Sequence, residues 1–478
     1  MVEAVIGLEV HVELKTRSKL FCSCSTKFGS EANSQVCPVC LGLPGTVPAL
    51  NKQAVEHAVL ACLSLQCEIT EQGGFDRKNY YYPDMPKSYQ ISQVFSPIGK
   101  EGELTIDTAH GEKMIRIRQI HLEEDAGKLV HEGDNIASAP DSLVDLNRSG
   151  APLIEIVSYP DIRNSDEAVA YLENLRSILR YVNVSDCRME EGSFRCDGNI
   201  SVREEGSSTY NPKVEIKNMN SLKALQKALD YEIDRQTDLL NNNERVMQET
   251  RTWDDQKEMT VHMRSKEAPD YRVFPDPELG LLKVDESWKS RISKRIPELP
   301  AEKKRRYKEQ WSLSDYDAYI LSRDKNLAAF YEQAVEHYHQ PKKISNWIQA
   351  ELLRLLNAER KEADDSPVLP EQLANLVALI DQGEISGKMG KEVIEIMYEE
   401  RKDPRKVIEE RGLSQISDDS ALEEIAEQIV EQNPKPVQDY RDGKKKAMGF
   451  LVGQMMKATK GQANPKKANE ILREVLEE

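Results

Sequence analysis

No stretch of this 478-residue chain approaches the roughly 18 consecutive apolar residues that a membrane-spanning helix needs. The start also lacks the basic flank and apolar run of an export signal, because Glu3, Glu9, His11 and Glu13 interrupt it. Cysteine is sparse: there are eight, four of them between residues 22 and 40, which excludes a disulfide-dense secreted scaffold. A reducing, cytoplasmic setting is expected. Positive charge is in the minority, with 65 Lys and Arg against 82 Asp and Glu and a net charge of −17, so the chain is not a uniformly basic nucleic-acid coat. Two phosphate cradles are missing as well. There is no Gly-x-x-x-x-Gly-Lys followed by Ser or Thr, and no Gly-x-Gly-x-x-Gly. Any nucleotide must be held by another geometry.

What is present suffices for packed domains. Hydrophobic residues make up 39% and charged residues 31%, without the loss of aliphatics that marks disorder. At roughly 150 residues per domain the length corresponds to about three. Sixteen of the 24 glycines precede residue 281, and only three lie between residues 281 and 411. The glycine-rich part carries strand signals: period-2 alternation in Leu8-Glu9-Val10-His11-Val12-Glu13-Leu14 and Ile115-Arg116-Ile117-Arg118, and the apolar run Leu153-Ile154-Glu155-Ile156-Val157. Two helices are predicted within it. Asn164 with Glu167 caps one bearing Ala168, Leu172, Leu175, Leu179 and Val182, and the other carries Leu222, Leu225, Leu229 and Ile233.

Beyond Pro297-Glu298-Leu299-Pro300 the apolar spacing becomes helical, with Ile344, Trp347, Ile348, Leu352 and Leu355 on one face. A break at Arg411-Gly412-Leu413 precedes a last unit in which Asn464-Pro465 caps a helix with Ala468, Ile471, Leu472 and Val475. The expected fold is α+β in three parts: a mixed unit over 1–294, a helical one over 295–411 and a small helical tail over 412–478.

Cys22-x-Cys24, twelve residues, then Cys37-Pro38-Val39-Cys40 supplies four thiolates in two close pairs, the donor set of a structural tetrahedral zinc site. Cys62, Cys67, Cys187 and Cys196 lack such spacing and read as ordinary free thiols. Acids recur on predicted strands. Glu9, His11 and Glu13 share one face, His121, Glu123, Glu124 and Asp125 end another strand, and Glu155 interrupts an apolar run, where a lone charge needs a partner. Carboxylates of this kind hold hard cations such as Mg²⁺ together with water and phosphate; the same pattern also describes a solvated face and a loop. Lys78, in Asp76-Arg77-Lys78-Asn79-Tyr80-Tyr81-Tyr82, is a candidate phosphate ligand, or part of an aromatic surface.

The tail differs in charge from the rest. Between residues 441 and 468 stand Arg441, Lys444, Lys445, Lys446, Lys457, Lys460, Lys466 and Lys467 against a single acid, Asp442. Such a patch grips phosphodiester backbones without reading sequence; a solvated lysine face has the same composition. Phe450 is the only aromatic residue after Tyr440, which favours backbone or shape recognition over base stacking.

Longer blocks carry a resemblance. Val5-Ile6-Gly7-Leu8-Glu9-Val10-His11-Val12-Glu13-Leu14, Phe75-Asp76-Arg77-Lys78-Asn79-Tyr80, Tyr89-Gln90-Ile91-Ser92-Gln93 and His121-Leu122-Glu123-Glu124-Asp125-Ala126-Gly127-Lys128 resemble the B subunits of tRNA-dependent amidotransferases. So do Val144-Asp145-Leu146-Asn147-Arg148, Met189-Glu190-Glu191-Gly192-Ser193, Val214-Glu215-Ile216-Lys217-Asn218 and Met448-Gly449-Phe450-Leu451-Val452-Gly453-Gln454, in an order that spans essentially the whole chain. The resemblance implies a cradle domain, a helical domain and a tRNA-binding tail. It further implies ATP-dependent phosphorylation of the side-chain carboxylate of mischarged Glu-tRNA(Gln) or Asp-tRNA(Asn), then amidation by ammonia. The ammonia would come from an amidase A subunit, with a small C subunit completing a heterotrimer.

Carried over by motif, the catalytic set is Glu9, His11, Lys78, Glu123, Glu124 and Glu155. Of these Glu9, His11, Glu124 and Glu155 would hold Mg²⁺; Cys22, Cys24, Cys37 and Cys40, read from their spacing rather than from the family pattern, would hold structural Zn²⁺. The tRNA contacts would be Lys444, Lys445, Lys446, Lys457, Lys460, Lys466 and Lys467. Two positions depart from the family pattern: Tyr159 stands where an acid is expected and Gly198 where alanine is expected. Two other classes use the same residues. A metal-dependent nuclease would cleave RNA without ATP, and a non-catalytic tRNA-binding scaffold would turn over no ATP.

Overall fold

The computed structural model describes residues 2–131, 141–265, 271–413, 419–442, 444, 446–459, 463 and 465–477. It divides into two compact units, Met1–Leu299 and Pro300–Glu478. The architecture is α+β, as the alternation and spacing of apolar residues imply.

The first unit is built on a nine-stranded sheet whose central strand is β1 (Val2–Glu13). Its partners in chain order are β2 (Glu68–Ile69), β5 (Gly99–Thr108), β6 (Gly111–Glu124), β7 (Pro152–Ser158), β8 (Phe194–Glu204), β9 (Val214–Lys217), β10 (Glu249–Asp254) and β11 (Met259–Ser265). Across the sheet the order is β11-β10-β9-β8-β1-β7-β6-β5-β2. The intervening β3 (Asp76–Asn79) and β4 (Tyr89–Ser92) form a small separate sheet with Phe274–Pro275. Pairing is antiparallel except between β9 and β10, which are joined through a helix, the connection that a parallel pair requires.

Strand alternation divides the sheet into two faces. Leu8, Val10 and Val12 of β1, Ile154 and Ile156 of β7 and Ile120 and Leu122 of β6 are almost fully buried and belong to one apolar cluster. Covering them are α1 (Lys52–Ser64), α2 (Ser165–Tyr181) and α3 (Leu222–Asn241), through residues such as Val59, Leu172, Leu175, Leu225 and Leu229. Each such aliphatic side chain contributes about 1.5–3 kcal/mol on leaving water. The opposite face is polar.

The helix anticipated from Asn164 begins where expected: the Asn164 side chain accepts from the Glu167 amide at 2.8 Å. Two helices were not anticipated, α1 and α4 (Glu286–Ser293). Nine of the thirteen residues of α1 are buried, so it is apolar all round and lacks the one-sided stripe by which helices are read from sequence.

The second unit is helical. α5 (Pro300–Trp311), α6 (Asp315–Ser322), α7 (Lys325–His337), α8 (Pro341–Trp347), α9 (Leu353–Ala358), α10 (Pro370–Asp381), α11 (Gly387–Glu400) and α12 (Pro404–Arg411) share an apolar cluster. A separate cluster joins α13 (Asp419–Gln432), α14 (Pro434–Arg441), α15 (Lys446–Ala458) and α16 (Pro465–Glu477). The face read through Ile344 to Leu355 is not one continuous α-helix, because a π turn over Ile348–Leu352 separates α8 from α9. Ile344, Ile348 and Leu352 are still buried together, and Glu351, 5% exposed, pairs with Lys391 at 2.6 Å. Asn464, read as a helix cap, lies outside the described residues. Among those residues no helix is long and apolar enough to cross a membrane.

Candidate active site

The polar face is organised by register. His11 of β1 stands opposite Glu155 of β7, and Glu155 stands opposite His121 of β6. Glu123, two residues beyond His121, projects on the same side. Ligand atoms of His11, Glu123 and Glu155 converge within 4.8 Å of one another. Around them the ends of β3 and β4 close the site: Ser92 donates to Glu123 Oε2 at 2.9 Å.

Electrostatics make this cluster receptive to a cation. Glu123 is 4% exposed, and burial with repulsion from Glu155 pushes its carboxyl up to about 7. Burial and Glu155 likewise raise Glu9. Burial lowers the basicity of His121, whose Nε2 has no hydrogen-bond partner among the described residues. Two carboxylates with an imidazole fit a divalent cation that completes its shell with water and phosphate oxygens.

The structure separates the other expected residues from this group. Glu9 is one step along β1 and accepts from Asn199 Nδ2 at 2.8 Å. Glu124, expected among the Mg²⁺ ligands, stands apart from the His11, Glu123 and Glu155 group. Alternation sends it to the other side of β6, where it pairs with Lys87 and accepts the Ile91 amide at 2.9 Å. There it lines a cavity of about 170 Å³ with Lys19, Arg77, Lys87, Tyr89 and Cys40. Lys78 carries no ion pair among the described residues; its ammonium lies 4.6 Å from the Tyr271 ring centroid and 5.9 Å from that of Tyr80. Sequence reading missed Ser92, Lys87 and Arg195. The last pairs with Asp125 at 2.8 Å and, with Arg148, outweighs burial to hold that carboxyl below its usual range.

The four cysteines meet as their spacing implies, the sulfurs of Cys22, Cys24, Cys37 and Cys40 all within 4.8 Å. The Cys37 amide donates to Cys40 Sγ at 3.2 Å. A hydrogen bond from Cys22, aided by that amide and by Lys19, outweighs burial and holds the Cys40 thiol down to about 4. Four sulfurs gathered this closely fit zinc.

Two family models divide the chain between them: a GatB/GatE catalytic domain matches residues 4–290 and a GatB domain matches residues 329–476. The chain is 55% identical to the B subunit of the aspartyl/glutamyl-tRNA(Asn/Gln) amidotransferase of Carboxydothermus hydrogenoformans, over 99% of this chain and 98% of that protein. Proteins of the same name from Caldanaerobacter subterraneus and Thermoanaerobacter pseudethanolicus are 53% and 52% identical, each over 99% of both chains. The chain belongs to the B subunits of tRNA-dependent amidotransferases. Within it the first family model spans every strand of the nine-stranded sheet apart from the first two residues of β1, and the second spans the basic tail.

Of the lysines expected to contact tRNA, Lys446 and Lys466 are exposed. Lys444 and Lys457 are exposed and Lys467 is half-buried. Lys444 pairs with Asp439 at 2.8 Å. Lys445 and Lys460 lie outside the described residues. Of the two departures from the family pattern, Tyr159 donates to Glu101 at 2.8 Å. Gly198 has room for a methyl group, since a Cβ there would stand 3.5 Å from Leu229 and 3.7 Å from Met219.

Proposed function

We propose that this chain is the phosphorylating and amidating half of an ATP-dependent transamidation that converts Glu-tRNA(Gln), Asp-tRNA(Asn) or both to the correctly amidated aminoacyl-tRNA. The convergence of His11, Glu123 and Glu155, with the Lys78 ammonium close enough to act on Glu123, carries the reading. A carboxylate is a poor acyl donor at neutral pH. Transfer of the γ-phosphoryl group of ATP to a carboxylate oxygen releases ADP and creates a leaving group. Ammonia then attacks the carbonyl carbon, the bond to phosphate breaks, and the nitrogen loses a proton to give the amide.

His11, Glu123 and Glu155 would hold Mg²⁺, which when bound neutralises charge on the transferring phosphoryl group. Glu9 widens the acidic floor, and Lys78 offers its ammonium to phosphate oxygens. Glu124 with Lys87 stands on the cavity side. Cys22, Cys24, Cys37 and Cys40 would hold structural Zn²⁺, and the tail lysines would grip the tRNA backbone. Ammonia would come from the amidase A subunit, with the C subunit completing a cytoplasmic heterotrimer.

The test is phosphate release from labelled ATP by the chain co-purified with its partners, with Mg²⁺ and either mischarged or correctly charged tRNA. Turnover with the mischarged tRNA alone is expected, and Glu155→Gln should lower it at least about 10²-fold with tRNA binding retained. Equal turnover in the variant, or tRNA cleavage without ATP, would overturn the reading.

A further inference from the structure

We infer that Lys19 is the buried counter-charge of the four-cysteine site, donating from its ammonium to the Cys40 sulfur and so strengthening the site's hold on its metal. This rests on the reading that the four thiolates bind zinc. Lys19 is 0% exposed, one of the largest fully buried side chains in the protein. A buried ammonium is expensive unless an anion and further hydrogen bonds satisfy it. Among the described residues Lys19 has no carboxylate partner: its Nζ lies 3.7 Å from Cys40 Sγ and 3.3 Å from the Leu146 carbonyl oxygen. Nearby Glu124 is engaged by Lys87 and the Ile91 amide.

Four thiolates around one dication leave a net negative charge, the anion that Lys19 otherwise lacks. The backbone enforces the approach. The Lys19 amide donates to the Cys24 carbonyl at 2.9 Å, tying the first cysteine pair to the same residue. Gly150, at φ +86°, supplies the wall on the other side, where a Cβ would meet the Lys19 stem and Cys40 Cβ, both at 3.5 Å. An N–H···S bond from outside the ligand shell orients the thiolate and lowers its tendency to leave the metal; partners of this kind are worth about 10–100-fold in metal affinity.

The test uses the full chain co-purified with its partners. Zinc content is measured first, then zinc transfer to a chromogenic chelator, for the wild type, Lys19→Met, Lys19→Gln and Lys19→Arg. The sulfur-to-metal charge-transfer band of the cobalt-substituted forms is recorded in parallel. The expectation is a zinc-loaded wild type, transfer about 10–100-fold faster in Lys19→Met, a charge-transfer band at longer wavelength, and recovery of both in Lys19→Arg. A methionine variant that fails to fold leaves the glutamine variant, of similar length and neutral, to decide. Wild-type transfer and an unmoved band in a zinc-loaded neutral variant would overturn the role of Lys19 alone. A wild type without zinc would overturn the metal reading, and this inference with it.

Discussion

Lys87 and Glu124 are 6% and 3% exposed at their side chains, so each is the other's condition for being buried. Removing one partner strands a charge in a low-dielectric interior, a loss of about 3–5 kcal/mol, whereas replacing both with apolar groups of similar size is close to neutral. Lys87→Met should therefore lower the denaturation midpoint sharply, and the double variant Lys87→Met, Glu124→Met should regain most of it. A single variant as stable as the wild type would remove the pair from the account. The same carboxylate marks how far a sequence can be read. Glu9, His11 and Glu13 were legible as one face because they alternate with aliphatics. The choice between adjacent Glu123 and Glu124 was not legible, because β4 supplies a partner to each, Ser92 to Glu123 and the Ile91 amide to Glu124, and Lys87 lies 37 residues away. Gly198 is a smaller case. With no left-handed φ and ordinary van der Waals distances for a Cβ, Gly198→Ala should stabilise the first unit by about 0.5–1 kcal/mol through the unfolded chain's reduced freedom. A lower melting temperature would mean that Leu229 or Met219 cannot yield.

At the scale of elements, α2 and α3 could be read because each presents an apolar stripe, α2 also behind a capping Asn164; the Ser221 cap of α3 is seen in the structure alone. α1 could not, being surrounded on all sides, and its interior position gives His57 an unusual environment. That imidazole is 6% exposed, with no hydrogen-bond partner at Nδ1 among the described residues. Burial, with repulsion from Arg295, lowers its pKa to about 4. The unfolded chain takes up a proton near pH 6.5 that the folded chain refuses until about pH 4. The stability contributed by neutral His57 is thus complete above about pH 6.5 and falls, by up to about 3 kcal/mol, as pH drops through that window. His57→Leu should flatten this part of the acid profile. Melting temperatures of both proteins at about pH 4.5 and about pH 7, either end of that window, would check it, and equal losses would place the acid sensitivity elsewhere. The π turn between α8 and α9 escaped reading for another reason: apolar spacing through Ile344, Ile348 and Leu352 is the same on either side of one wider turn.

For the whole molecule, a −17 chain with a basic segment between positions 441 and 467 predicts attraction confined to one region. The structure dictates how to test it. Composition places the onset of positive charge near Arg441, which suggests a cut after about Pro434. Such a cut would leave α13 behind, and Leu422, Ala426 and Ile429 of that helix pack in one cluster with Leu451 and Met455 of α15 and Leu472 and Leu476 of α16. The remnant would expose an apolar face, and weakened binding could then reflect misfolding. Ending the chain at Leu413 removes the four helices as a set. A gentler variant keeps the cluster and replaces Lys444, Lys446, Lys457, Lys466 and Lys467 with glutamine. If these side chains neutralise backbone phosphates, the dependence of log K for tRNA on log salt should fall by about 0.7–0.9 for each phosphate no longer neutralised, equally for cognate and non-cognate tRNA. Both the Leu413 truncation and the glutamine variant should show it. An unchanged salt slope in the glutamine variant would make the tail a solvated lysine face and move tRNA binding to another surface of the chain or to its partners.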